Sequence, residues 1–263
     1  MNMRPKIDLG LLYLNLKFFK IYDIIYIETG KGMRIMTLLD KVLAHEKAGI
    51  EGSISVIVND FCEANHIEDW QDLCYGEDYD GATSDYMIAA GATKVVLIPM
   101  DASFVIKIPF FGEKDWDWDN DPIPYMGAYA PGLEDVEPNN YCELEAELYK
   151  EAVKWELEDF FVPTVFFGNI CGLPVYVQPR IHNIKRLAAK DSAYKYASIK
   201  GSEEFDTDVG ANLVEFYNLN DVERLLQFFK HYKVNDVDNF RNSGYDTVCG
   251  RYVFWDYAGF KDY

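Results

Sequence analysis

Four apolar, β-type runs stand on either side of one long amphipathic helix, and that order admits few architectures. "YMIAAGATKVVLIP" (86–99) and "SFVIKIPF" (103–110) are joined across Met100, Asp101 and Ala102 and read as a hairpin. "YCELEAELYKEAVKWELEDFF" (141–161) then places Leu144, Leu148, Ala152 and Trp155 on one helical face, at spacings of four, four and three. "PTVFFGNI" and "LPVYVQPRI" follow and turn at Cys171–Gly172, a second hairpin. Hairpins separated by a helix predict an α+β fold with one antiparallel sheet.

The flanks are more irregular. "TLLDKVLAHEKA" (37–48) and "SISVIVNDFCEANH" (53–66) read as two short amphipathic helices punctuated by Gly49 and Gly52. "YGEDYDGATSD" (75–85) is an acidic link, and residues 113–140 form a long acidic, Pro-rich loop that opens with "EKDWDWDND". A polar stretch runs to about residue 211, before "NDVERLLQFFKHY" (220–232). That helix turns Val222, Leu225, Leu226 and Phe229 inward, with Asn220 placed to cap it. At the other end, "LLYLNLKFFKIYDIIYI" (11–27) is apolar, but Lys17, Lys20 and Asp23 interrupt it and no signal-peptide cleavage pattern follows. It reads as an amphipathic strand or helix. The purine-rich coding potential of "ETGKG", just before Met33, also raises the expectation that translation starts at Met33 or Met36.

Charge narrows the function. Forty-four acidic against 25 basic residues give a net charge of −19, which disfavours a nucleic-acid partner because phosphate backbones need a basic surface. The balance suits magnesium, basic proteins, or a nucleotide that carries its metal. Five scattered cysteines form no CxxC pair or Cys/His cluster, so the chain predicts neither a zinc site nor a disulfide framework, and a reducing cytoplasm fits it.

Certain residues stand out against this background. Gly91 sits inside a β run, where the missing Cβ lets backbone approach a ligand. Lys107 interrupts "FVIKIP", although strict alternation could still turn it to solvent on the face opposite Ile106 and Ile108. Asp256 closes the apolar run "RYVFWDYAGF" (251–260), and an acid buried there is costly as mere packing.

The order of these pieces resembles the protein-kinase fold, and within it the compact kinase-like proteins of bacteriophages. The likeness covers roughly residues 86–260. It implies a two-lobed fold with an antiparallel N-lobe sheet and a truncated, helical C-lobe, divided as an N-terminal extension (1–85), an N-lobe (86–178) and a C-lobe (179–263). It also implies ATP and Mg²⁺ as ligands. Lys107 of "VIK" would hold the nucleotide phosphates, and Glu145 would orient it, with Glu143 or Glu147 as the alternatives in the same helix. Gly91 and Thr93 of the first hairpin would lie against the nucleotide. Val177 and Gln178 of "VYVQPRI" would meet the adenine edge. "DYAG" resembles Asp-Phe-Gly with one residue added, so Asp256 and Asn242 would hold metal.

The catalytic loop departs from the family pattern. In "NDVDNFRNSGY" the family's five-residue spacing before Asn242 falls on Val237, with Asp236 and Asp238 on either side. Aligning "DVD" with the Asp-Leu-His of phage and small-molecule kinases makes Asp236 the candidate base. The sequence also ends seven residues after Asp256, without the family's usual substrate-docking helices. The expectation is therefore a phosphotransferase of serine/threonine protein-kinase type, phage-encoded and acting on a host protein in the host cytoplasm, with no membrane partner. Two alternatives stand beside it. One is a pseudokinase that binds nucleotide without transfer; the other is an acidic DNA mimic that blocks a host enzyme.

Overall fold

The computed structural model describes residues 25–29, 32–36, 47–81, 85–113, 132–133, 135–137, 139–181, 207–234, 242–247 and 250–258. The chain divides into two units, Met1–Glu51 and Gly52–Tyr263. In the first, β1 (Ile25–Thr29) and β2 (Gly32–Met36) pair as an antiparallel hairpin with Ile25 opposite Met36. The strand alternative for the N-terminal segment is the one found there; the rest of 11–24 lies outside the described residues.

A single helix, α1 (Lys47–Asn65), replaces the second predicted helix and runs through both Gly49 and Gly52. A glycine costs only about 1 kcal/mol in a helix interior. Burial of Ile54, Val58, Phe61 and Cys62 along one face of α1 outweighs that cost.

The second unit is built on a five-stranded antiparallel sheet of β4 (Tyr86–Ala90), β5 (Lys94–Pro99), β6 (Phe104–Pro109), β8 (Val165–Ile170) and β9 (Leu173–Pro179). Its order is β4-β5-β6-β9-β8. The run expected to be one hairpin arm (86–99) is itself folded in two. It is too long for one ordinary strand, and Gly91 N–H donates to Lys94 O at 2.9 Å across the turn. The result is a three-stranded meander. A two-stranded parallel pair, β3 (Cys74–Tyr75) with β7 (Gly112–Glu113), lies beside it in sequence.

Register assigns the two faces of the sheet. Tyr86, Leu97, Ile106, Ile108 and Val177 share one buried face, and from it the Tyr86 hydroxyl donates to Asp60 of α1 at 2.9 Å. Residues opposite one another on the second face are Ala89 and Val96, Val96 and Lys107, Lys107 and Tyr176, and Val105 and Gln178. Helix α2 (Tyr141–Lys154) covers part of that face. Its N-cap Asn140 accepts from Glu143 N–H and donates to the Tyr176 hydroxyl, and Cys142 and Ala146 pack on Tyr176.

The predicted face of α2, Leu144, Leu148 and Ala152, turns instead into a second core. There it meets α3 (Thr207–Phe216), α4 (Leu219–Tyr232) and the hairpin of β10 (Ser243–Asp246) and β11 (Arg251–Phe254). Helix α3 begins inside the stretch read as polar. Helix α4 buries Val222, Leu225, Leu226 and Phe229 as expected, but its cap is Asn218, which accepts from Asp221 N–H at 2.9 Å, and not Asn220. No helix among the described residues is long and apolar enough to cross a membrane.

Candidate functional site

Lys107 does not face solvent. Its side chain is on the α2 face of β6, and Nζ donates to Glu145 Oε2 at 2.7 Å and to Trp255 O at 2.8 Å. Glu145 belongs to a second buried stripe of α2, with Cys142 and Tyr149, and is fully excluded from solvent. Its neighbours have other partners: Glu143 accepts Glu137 N–H, and Glu147 pairs with exposed Lys150. The Thr164 hydroxyl donates to the same Glu145 oxygen as Lys107, at 3.0 Å.

The remaining oxygen of Glu145 is taken by a residue that sequence reading missed. Lys94, at the start of β5, donates to Glu145 Oε1 at 2.5 Å and to Asp256 Oδ1 at 2.7 Å, and only 3% of it is exposed. Four charges that are close together in space thus come from two strands, a helix and the segment after β11.

Asp256 is held by the anchoring of the residues around it. Trp255 N–H donates to Asn242 O at 3.0 Å, and Asp256 N–H reaches the same oxygen at 3.5 Å. Trp255 O in turn accepts from Lys107 and from Gln178 Nε2. On the other side, Tyr257 is fully buried against Phe161, with ring centroids 4.9 Å apart, and its hydroxyl donates to Val162 O at 2.9 Å. Between these anchors the Asp256 side chain keeps 34% of its surface open.

Burial alone would raise the Asp256 carboxyl, but the Lys94 and Lys107 ammonium groups hold it well below the usual carboxylate range. Burial would likewise lower Lys94, yet the Asp256 and Glu145 carboxylates raise it above an ordinary lysine. Both groups are therefore charged near neutral pH. Burial pushes the neighbouring Cys142 thiol up to about 12, so it is not a thiolate nucleophile.

Lys94, Lys107 and Asp256 line a cleft of about 440 Å³ on the open part of the same sheet face. The volume is typical of a small-molecule site. Lys107, Asn242, Asp256, Gln178, Gly91 and Thr93 all border it, so most of the sequence-predicted residues converge. Apolar walls come from Val96, Ile98 and Val105, among others. Among the described residues the lining carries three cations, Lys94, Lys107 and Arg180, and one carboxylate, Asp256. Counting Glu145 behind them, the described residues still leave one positive charge over, in a chain of net charge −19. The cleft suits an anion.

Some expectations need correction. Val177 points to the opposite face, and its position in β9 is paired on both sides, with Ile106 and with Val165. The cleft is instead bordered by the end of that strand, Pro179 to Ile181. Gln178 lines the cleft, but its amide is committed to Thr164 Oγ1 and Trp255 O. A Cβ on Gly91 would meet nothing nearer than Lys94 O at 3.8 Å, so the protein's own packing does not demand glycine there. Asp236 and Asp238, the Gly259 of "DYAG", and "EKDWDWDND" beyond Glu113 lie outside the described residues.

The donor set discriminates between kinds of metal site. Among the described residues no group of three or more His, Cys, Asp or Glu could hold an ion. Asp256 and Asn242, a carboxylate and an amide residue, border the same cleft. Mg²⁺ is commonly bound through one or two such ligands plus phosphate oxygens and waters. The pair fits a magnesium that arrives with its phosphates, not one held by protein alone.

Such an arrangement is expensive as mere packing, since each buried ion costs several kcal/mol in lost hydration. Strongly shifted charges at the edge of a cleft are features of functional sites. Comparison of the chain with protein-family models, curated proteins and solved structures finds no match.

Proposed function

We propose that the cleft binds ATP with Mg²⁺ and that the protein is a kinase-like phosphotransferase. The observation that carries this reading is the Lys107–Glu145 pair, joining the third strand of the sheet to α2, with Asp256 and Asn242 on the same cleft. The sheet order, with β6 beside β9 and α2 inserted between them in sequence, supports a kinase-like N-lobe. The positive lining supports an anionic ligand.

In this reading Lys107, fixed by Glu145, neutralises phosphate charge, and the apolar wall of Val96, Ile98 and Val105 receives the base. The strand end at Pro179 to Ile181 borders the place where the adenine edge would lie. Asp256 and Asn242 would hold the metal, which supplies charge neutralisation across the phosphates. Asp236 would accept the proton of the attacking hydroxyl. That oxygen bonds to the terminal phosphorus as the bond to the bridging oxygen breaks, and ADP leaves. The acceptor is a hydroxyl on a protein, by the likeness to serine/threonine kinases.

Mg·ATP binding tests the site directly. Wild type should gain thermal stability with Mg·ATP, while Lys107→Met and Asp256→Asn should gain much less. Equal gains in all three would overturn the site. Radiolabel transfer from ATP that survives in wild type and is lost in Asp236→Asn supports transfer. Binding without any transfer supports a pseudokinase.

A further inference from the structure

The two strand lysines of the cleft differ in what they hold. Lys107 is tied to Glu145 and to a main-chain carbonyl, Trp255 O. Lys94 bridges two carboxylates, buried Glu145 and half-open Asp256. The oxygen it occupies, Asp256 Oδ1, belongs to the very side chain that the proposed function gives to the metal.

An ammonium 2.7 Å from Oδ1 and a magnesium ion at a coordination distance of about 2.0–2.1 Å from the same side chain share one carboxylate's charge and repel each other. We propose that Lys94 is a specificity residue that makes the site reject a bare divalent cation and accept one carried on a polyphosphate. This inference rests on the nucleotide reading above. A bare ion must strip Lys94 from Asp256 and leave that ammonium with one carboxylate in a buried place. A polyphosphate brings its own anion for Lys94, so the lysine can turn from Asp256 to phosphate. It keeps Glu145 as its pivot throughout. The long, flexible lysine stem permits that turn, and a single strongly hydrated charge suits exchange between anions.

The consequence is a thermodynamic coupling, and it is reciprocal: the phosphates help the metal in as much as the metal helps the phosphates. Lys107 cannot do this, because its contacts are a helix carboxylate and a carbonyl that no metal needs. Lys94 is thus a positioning charge for two ligands and not a second copy of Lys107.

The test uses the full chain with Mn²⁺, followed by electron paramagnetic resonance, and metal-free ATP, followed by calorimetry. Wild type should bind Mn²⁺ alone weakly, bind metal-free ATP measurably, and bind Mn²⁺ much more tightly once ATP is present. Lys94→Gln, which keeps an amide donor for Glu145, should bind Mn²⁺ alone roughly tenfold more tightly and metal-free ATP roughly tenfold more weakly, within the usual span of such couplings. Lys94→Arg should stay close to wild type toward Mn²⁺.

Unchanged or weaker Mn²⁺ binding in folded Lys94→Gln would overturn the inference while leaving nucleotide binding intact. The wild-type arm needs no variant to fold: Mn²⁺ that binds as tightly without ATP as with it also overturns the inference alone. A wild type that takes neither ATP nor Mg·ATP removes the nucleotide reading, and the inference with it.

Discussion

Lys107 donates to Glu145 at 2.7 Å, yet Glu145 is not Lys107's alone: one buried carboxylate serves two ammonium groups and a hydroxyl. The pair is therefore unequal. Losing Lys107 leaves Glu145 with Lys94 and Thr164, whereas losing Glu145 takes a carboxylate from both lysines at once and leaves Lys107 with only the Trp255 carbonyl among the bonds described. Glu145→Ala should cost at least about 3–5 kcal/mol, the usual penalty for breaking a buried pair. Lys107→Met should cost distinctly less. Urea midpoints with unchanged slopes check the order, and equal losses would show that the carboxylate is not shared.

Acid should act on Asp256 in a definite direction. Its folded carboxyl is held below the unfolded value of about 3.9, so the stabilisation is complete above that value and is lost as pH falls below it. Lys94 acts at the other end of the scale: its raised folded value gives stabilisation that is complete below about 10.4 and lost at higher pH. Between about pH 5 and 9 neither group should contribute a slope. In Asp256→Asn the acid limb of the stability profile should flatten relative to wild type, as read from melting temperatures at pH 3 to 6.

What could be read from sequence followed from contrast with the surroundings. Lys107 and Asp256 are charges inside apolar β runs, and each was visible for that reason. Lys94 was missed because it follows Gly91, Ala92 and Thr93, where a lysine reads as an ordinary strand end. The missing information was register: only once β5 is paired with β6, with Val96 opposite Lys107, does Lys94 fall on Lys107's face. The same limit explains Val177, whose face depends on its partner Ile106. Gly49 and Gly52 misled in another way, because local cost was weighed without the burial that repays it. Asn218 and Asn220 are equally good caps by composition, and packing of α4 decides between them.

Tyr257 should act mainly by fixing its neighbour. Its hydroxyl donates a buried hydrogen bond to Val162 O, so Tyr257→Phe should cost about 1 kcal/mol and barely alter Mg·ATP affinity. Tyr257→Ala also removes the ring packed on Phe161, at about 3–5 kcal/mol. It should weaken Mg·ATP binding as well, because the backbone on one side of Asp256 loses its anchor. Melting temperatures and calorimetric titrations separate the two effects. A Phe variant as impaired in binding as the Ala variant would assign the role to the hydroxyl instead.

Arg180 offers a test of charge without a test of folding. Its guanidinium donates to Pro99 O at 2.9 Å and Met100 O at 3.4 Å, which holds a positive charge at the edge of the cleft by way of the β5–β6 turn. Removing it in Arg180→Ala subtracts one cation from the lining but leaves the Lys94, Lys107, Glu145 and Asp256 cluster in place. ATP affinity should fall by about tenfold at low salt, equivalent to ~1.4 kcal/mol. The difference between variant and wild type should shrink in 1 M salt, where the screening length is about 3 Å. Adenosine carries no charge, so its binding should be nearly the same in both proteins. If adenosine weakens as much as ATP, Arg180 acts by shaping the strand end, and the electrostatic account of the cleft mouth is wrong.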